Sequence, residues 1–138
     1  MAGDKKIVLL DTNFLLIPAQ FKVDVFAELR RLCDFSYEVA VLAATVDELH
    51  GIIGNKAASA KDRNAAKLGL QLIKAKGVSV ISTERKVFKS TDKAILDFAV
   101  QGRGSVVVAT QDRLLREKLK SAGVAVIVMR QKQYLALL

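Results

Sequence analysis

Apolar residues along the chain fall into short, nearly continuous runs separated by segments with helical spacing. The runs are rich in β-branched residues and cover 6–10, 39–43, 78–82, 105–109 and 124–129. A run that is continuously apolar, rather than alternating, is typical of a strand covered on both faces of its sheet. We therefore predict five buried strands.

Between these runs, apolar residues recur every three or four positions. The longest such segment, 57–76, directs Leu68 and Leu72 inward and most of its lysines outward. Shorter helical patterns follow Asp24, begin near Ser90 and end at Gly123. Strands that alternate with helices predict an α/β fold with a mainly parallel sheet. Pro18, the one proline, is assigned to the connection after the first strand.

Composition limits the class of protein. The chain has 138 residues, 51% of them hydrophobic, which predicts a single domain over 1–138 with a packed core. One cysteine and one histidine exclude a disulfide framework and a zinc site built from these residue types. No apolar stretch reaches the roughly 20 residues of a membrane span, and the N-terminal run is too short for a signal peptide. We expect a cytoplasmic protein with no membrane partner.

Positive charge is concentrated in two segments of a chain whose net charge is +8. Residues 51–93 carry ten basic and three acidic side chains, and residues 113–138 carry six and one. Such an excess favours a polyanionic partner. Arg85, Lys86 and Lys89 are the predicted contacts to such a partner's phosphates, because they lead directly into an acidic residue, Asp92. Aromatic residues are sparse in these segments, which favours backbone recognition over base stacking.

Four carboxylates lie where predicted strands lead into helices: Asp11, Glu48, Asp92 and Asp112. In an open parallel sheet the carboxyl ends of neighbouring strands open into one crevice, so acids distant in sequence can converge there. Clustered carboxylates suit Mg²⁺ or Mn²⁺, hard cations that keep water ligands and contact phosphate oxygens. The pattern predicts metal-assisted hydrolysis of a phosphodiester.

Each helix-start acid also has a local explanation. Thr45 and Glu48 match the S/T-x-x-E capping box, and Asp92 and Asp112 fall in predicted first turns, where they would interact with the helix dipole. Asp11 is different, because it ends an apolar strand, where a buried carboxylate is costly unless it is paired, hydrogen-bonded or bound to metal. Four acids in one crevice would repel each other and would need raised pKa values or bound cations.

The order of these motifs resembles the PIN domain, a metal-dependent nuclease family. The segments that carry the resemblance are LLDTN, DEL, TDKAILDFA, VVVATQDRLL and GVAVIVM, and they span nearly the whole chain. The resemblance implies a three-layer α/β/α fold with a central, mainly parallel, five-stranded sheet. It also implies a catalytic and metal-binding set with two accessory polar positions: Asp11, Glu48, Asp92 and Asp112, then Asn13 and Thr110. The basic RLLREKLK and VIVMRQKQYLALL segments are similar to archaeal relatives of PIN endonucleases that process ribosomal RNA precursors.

The predicted function is a divalent-metal-dependent endoribonuclease using Mg²⁺ or Mn²⁺, with a role in ribosomal RNA processing implied by the resemblance. A non-catalytic RNA-binding scaffold and a toxin-type PIN ribonuclease remain alternatives, and a homodimer or a ribosome-assembly partner is left open. Other phosphate chemistries fit less well. A haloacid dehalogenase phosphatase wants a second aspartate where Asn13 stands, and no G-x-G-x-x-G follows the first strand.

Overall fold

The computed structural model describes residues 5–83 and 90–138. Its strands are β1 (Lys6–Leu10), β2 (Tyr37–Leu42), β3 (Ser79–Ile81), β4 (Val106–Ala109), β5 (Ala125–Arg130) and β6 (Tyr134–Leu137). Its helices are α1 (Thr12–Phe21), α2 (Val25–Leu32), α3 (Ala43–Gly54), α4 (Ala60–Ala75), α5 (Thr91–Gln101) and α6 (Arg113–Ser121). No helix in the described ranges is both long enough and apolar enough to cross a membrane.

The strands form one sheet in the order β3-β2-β1-β4-β5-β6. Every neighbouring pair is parallel except β5 and β6, which are antiparallel. The chain fills one half of the sheet with β1 to β3 and then returns to the other side of β1 with β4. The boundary between β1 and β4 is therefore the topological switch point, where open α/β sheets form their crevice.

Helices cover both faces of the sheet because successive strand residues point in opposite directions. In β1, Val8 and Leu10 pack with residues of α1 to α4, whereas Leu9 packs with residues of α5 and α6. All three side chains are fully buried. The continuous apolar runs thus belong to strands covered on both faces, and the predicted three-layer α/β/α class is confirmed.

Helix α1 corrects the prediction of a connection after the first strand. Pro18 lies inside this helix, and its carbonyl accepts from the backbone N–H of Lys22, which ends the helix in the left-handed conformation. No helical period was visible in the sequence of α1, because this helix is apolar on most sides. It packs closely against α4 at Gly69, where a Cβ would lie 3.0 Å from the Leu15 carbonyl oxygen. A helix buried on several faces loses the amphipathic signal.

Strand β6 is the second correction, because it makes the described sheet six-stranded rather than five-stranded. It is reached through a turn in which Gln131 and Lys132 both have positive φ, of 53° and 55°. Glycine or asparagine normally marks such a turn, so the sequence carried no turn signal. Side chains of α2 stabilise this edge strand: Glu28 accepts from the Leu135 N–H, and Arg31 donates to the Leu135 carbonyl.

The other elements agree with the sequence to within a few residues. Strand β1 has the predicted bounds, and the remaining predicted strands shift by one or two residues at an end. The helix predicted over 57–76 begins later, at Ala60, because Ser59 is its N-cap and accepts from the Asp62 N–H. Asp24 caps α2 as expected, by accepting from the Ala27 N–H. Helix α6 stops before Gly123, whose φ is 80°.

Candidate active site

Two neighbouring strands bring Asp11 and Thr110 together at the carboxyl edge of the sheet. Leu10 pairs with Ala109 at the ends of β1 and β4, so the next residue of each strand lies beside the other. The Thr110 hydroxyl donates to Asp11 Oδ2 at 2.7 Å and accepts from the Asp112 backbone N–H at 3.0 Å. Thr110 therefore links two of the predicted acids.

Asp11 is a buried acid, with 4% of its surface exposed. Its other oxygen, Oδ1, accepts from the Thr12 backbone N–H at 2.7 Å. Burial raises the pKa of Asp11, because the charged form loses its hydration, and the nearby charges of Glu48 and Asp112 raise it further. The two hydrogen bonds oppose this rise without cancelling it.

Glu48 is held at the site by a contact that the sequence did not indicate. The predicted capping box is wrong, because α3 begins directly after β2, which places Thr45 inside the first turn rather than at the N-cap. The buried Thr45 hydroxyl has no hydrogen-bond partner in the described structure. Glu48 Oε1 instead accepts from the Thr12 hydroxyl at 2.7 Å. Thr12 is a missed site residue, whose only signal was its place between Asp11 and Asn13.

Asp112 and Asp92 complete the crevice from the starts of two helices. Asp112 is the N-cap of α6, and its Oδ1 accepts from the Leu115 N–H at 3.0 Å. Asp92 lies in the first turn of α5. Burial raises the pKa of Asp92 to about 6, with further contributions from the neighbouring carboxylates of Asp11, Asp112 and Glu48. The structure thus brings all four predicted acids within electrostatic reach of one another.

The donor chemistry of this crevice can be compared with the needs of a divalent cation. Within residues 5–83 and 90–138, no three Asp, Glu, His or Cys side chains are arranged to hold one ion directly. Protein donors position the carboxylates of Asp11, Glu48 and Asp112. Mg²⁺ usually takes one or two carboxylates and keeps several waters, so the hard oxygen donors of this crevice fit a hydrated ion of this class.

Asn13 lies beside the acids rather than among them. Its Oδ1 accepts a long hydrogen bond of 3.4 Å from the Gln111 backbone N–H. This contact joins the start of α1 to the turn between β4 and α6. Asn13 therefore satisfies a backbone group of this turn.

Two lysines stand next to Asp92 and Asp112. Lys93 and Lys118 line a small cleft of about 130 Å³ together with both acids. Lys93 is next to Asp92 in the sequence, so its position near the acids could be predicted. Lys118 reaches the cleft only because the turn of α6 places it on the side that faces Asp112. The predicted RNA contacts Arg85, Lys86 and Lys89 lie outside the described residues and stay a prediction.

Comparison with known proteins agrees with this architecture. A family model described as "PIN like domain" matches residues 8–132. Ribonuclease VapC4 of Methanocaldococcus jannaschii is 31% identical over 124 residues, which are 90% of each chain. The solved structure of the PIN domain endonuclease Utp24 superposes with a TM-score of 0.75 at 20% identity, and covers 98% of this chain and 92% of that one. The chain belongs to the PIN-like domain family.

Proposed function

We propose that the protein is a divalent-metal-dependent endoribonuclease that uses Mg²⁺ or Mn²⁺. The observation that carries the proposal is Asp11, a carboxylate buried at the switch point and held by two hydrogen bonds, with three further acids around it. Asp11 and Asp112 also accept backbone N–H groups at helix starts, but acids clustered at one sheet edge repel each other, and a bound cation relieves this repulsion. The similarity to a named ribonuclease over nine-tenths of the chain supports RNA as the substrate.

In this proposal the four acids would surround a hydrated cation and hold it directly or through its waters. Asp11 is fixed by Thr110 and Thr12, and Glu48 is fixed by the Thr12 hydroxyl. When bound, the ion would supply positive charge that activates water and offsets the charge of the reacting phosphate. Thr110 and Thr12 are positioning residues, because they act on the carboxylates and not on the substrate.

Lys93 and Lys118 are proposed to bind the phosphates on either side of the cleaved bond. They lie beside Asp92 and Asp112 in the small cleft, so a strand held by their ammonium groups passes the acids. A lysine contacts a phosphate as a point charge, which is independent of base identity. The chain's net charge of +8 helps such a strand to approach.

A metal titration with matched variants tests the proposal. Wild type should cleave RNA in Mn²⁺ or Mg²⁺ and stop in EDTA, and Asp11→Asn should lose about 10³-fold in rate, since a metal site contributes several kcal/mol to the transition state. Asp97→Asn, on the same helix as Asp92 and accepting from Gln101, is the control and should cleave as wild type does. Cleavage that persists in EDTA, or equal losses in both variants, would refute the assignment.

The Asp112 site offers a second test, because this residue has both a helix-capping and a proposed ligand role. Asparagine is as good an N-cap as aspartate, so Asp112→Asn should keep the melting temperature of the wild type, or raise it in the metal-free protein. Its cleavage should nevertheless fall as in Asp11→Asn. Asp112→Ala should lose cleavage and also about 1 kcal/mol of stability. If Asp112→Asn still cleaved RNA, Asp112 would only cap α6 and would not be a metal ligand.

The alternative functions considered from the sequence predict different results in such experiments. A non-catalytic scaffold would bind RNA without turnover in any metal, and Asp11→Asn would then leave its behaviour unchanged. A role in ribosomal RNA processing predicts preference for precursor ribosomal RNA over unrelated RNA of the same length. A toxin-type enzyme predicts arrest of cell growth on expression of wild type but not of Asp11→Asn.

A further inference from the structure

A second cleft, of about 440 Å³, lies beside the acid crevice and has no part in the hydrolysis described above. It runs between α1 and the turn that joins β5 to β6. Asn13, two residues after Asp11, and Gln111, next to Asp112, line its side nearest the acids. Ligand sites of proteins have volumes of about 300–1,000 Å³, so the cleft is large enough for part of a substrate.

The apolar wall of this cleft contains an exposed aromatic ring. Phe21 is 36% exposed although it ends an apolar helix, and Ile17 and Met129 lie with it in the wall. The Lys132 ammonium stands 5.9 Å from the centre of the Phe21 ring. Proteins bind single-stranded nucleic acid with an aromatic face beside a cation, because a base stacks on the ring while the cation contacts a phosphate.

The polar wall consists of amide side chains. Asn13 Oδ1 accepts from the Gln111 N–H, and Gln111 Oε1 accepts from the Met129 N–H, so the NH₂ groups of both remain as donors. Gln20 and Gln131 also line the cleft, and neither amide hydrogen-bonds within the described chain. Amides present both donors and acceptors, as the edge of a base does. No acid is among the described residues that line this cleft.

We propose that this cleft binds one unpaired base of the RNA, next to the phosphate at the acid crevice. The base stacks on Phe21, the amides bond to its edge, and Lys132 moves from the ring to the adjoining phosphate. The inference rests on the proposed function, because it takes RNA as the ligand. It gives the enzyme a requirement for single-stranded RNA at one position, since a paired base cannot enter.

The chain provides a matched control for the aromatic ring. Phe35 has the same kind of lysine neighbour, with the Lys6 ammonium 5.4 Å from its ring centre. It lies just before β2, at the amino ends of the strands and hence at the opposite edge of the sheet from the acids. Phe21→Leu and Phe35→Leu therefore make the same substitution beside a lysine, and only Phe21 lies in the cleft. Phe21→Tyr keeps the ring and should behave as the parent.

The test measures binding in an Asp11→Asn background, so that cleavage does not interfere. Short single-stranded RNAs carry an abasic site at successive positions, and their affinities are measured by fluorescence anisotropy. We expect Phe21→Leu to bind intact RNA about fivefold to a hundredfold more weakly, the range for one stacked base. One abasic position should cause a similar loss, with no further loss when it is combined with Phe21→Leu. Phe35→Leu should bind as the parent does.

The outcomes separate this inference from the proposed function. If wild type cleaves RNA but Phe21→Leu and the abasic RNAs show independent losses, the base site is refuted and the nuclease stands. If the affinity losses of Phe21→Leu and of the abasic RNA are coupled but wild type never cleaves RNA, the base site is supported and the protein only binds RNA. Equal losses in Phe21→Leu and Phe35→Leu, or a loss in Phe21→Tyr equal to that in Phe21→Leu, would also refute the base site.

Discussion

The two sides of the acid crevice are built in different ways. On the sheet side, Asp11 is buried and both of its oxygens accept hydrogen bonds, from Thr12 and Thr110. On the helix side, Asp92 is half-buried, and both this burial and the nearby charges of Asp11 and Asp112 raise its pKa. The same residue type is thus fixed by protein donors in one place and strained by like charge in the other.

This difference separates positioning from charge relief. Hydrogen bonds from rigid strand ends fix the Asp11 carboxylate before any ligand arrives, which is the arrangement that supports a precise site. The Asp92 carboxylate gains stability when a proton or a cation reduces the repulsion around it. We infer that the sheet side sets the geometry of the site and that the helix side responds to the cation.

Removing the support of Asp11 should have the largest effect. Thr110→Val keeps the shape of the side chain but removes the hydroxyl that donates to Asp11 and accepts from the Asp112 N–H. We expect cleavage to fall about 10-fold to 100-fold, as for other residues that orient metal ligands. Thr110→Ser restores the hydroxyl and should recover most of the rate. If valine and serine variants are equally active at saturating Mn²⁺, the sheet side does not need this contact.

The positions of Asp11 and Asp112 could be located in the sequence because the hydrophobic pattern fixes the ends of strands. Asp11 and Asp112 follow buried strands, and once β1 and β4 are neighbours their positions follow from register. The contact between Thr12 and Glu48 could not be read in this way. It depends on α3 beginning at Ala43 without a side-chain cap, whereas the local sequence favoured a capping box at Thr45. Tertiary packing of α3 overrode that local preference.

Helix α1 and strand β6 show the same limit, and α1 lines the second cleft together with the turn that leads into β6. An apolar helix gives no amphipathic period, and a turn made of Gln131 and Lys132 gives no glycine signal. The expectation that base stacking is unimportant considered only the basic segments. Phe21 lies outside them and meets Lys132 only through the fold.

The lysines of the helix side should have an intermediate effect, on binding. Lys93→Gln with Lys118→Gln removes two proposed phosphate contacts, and the slope of log affinity against log salt should fall by about 0.7 for each contact. Lys61→Gln with Lys67→Gln, on the exposed surface of α4, is the charge-matched control and should change the slope little. Equal slopes in the two double variants would mean that net charge alone attracts RNA. The predicted contacts Arg85, Lys86 and Lys89 can be neutralised in the same assay.

The smallest expected effect is on the stability of the metal-free protein, and it has a definite sign. The pKa of Asp92 rises from its ordinary 3.8 to about 6 on folding, so the folded protein binds this proton more tightly than the unfolded chain does. Between about pH 4 and pH 6 the unfolded chain has already lost the Asp92 proton while the folded protein still binds it. The free energy of unfolding therefore decreases as the pH rises through this window. The side chain of the Asp92→Asn variant cannot ionise, so this variant does not lose stability in that pH window.

In EDTA, Asp92→Asn should therefore melt at the wild-type temperature near pH 4 and above it at pH 7, by roughly 2–4 °C, because solvent screens a half-buried group. Asp62→Asn is the matched control, since Asp62 also lies in the first turn of a helix that a serine caps. It loses only a favourable helix-dipole contact and should melt slightly lower than wild type at pH 7. Added Mn²⁺ should raise the melting temperature of wild type more than that of Asp92→Asn. A melting series in which both asparagine variants shift alike would show that Asp92 is an ordinary helix-start acid and that the two sides of the crevice do not differ.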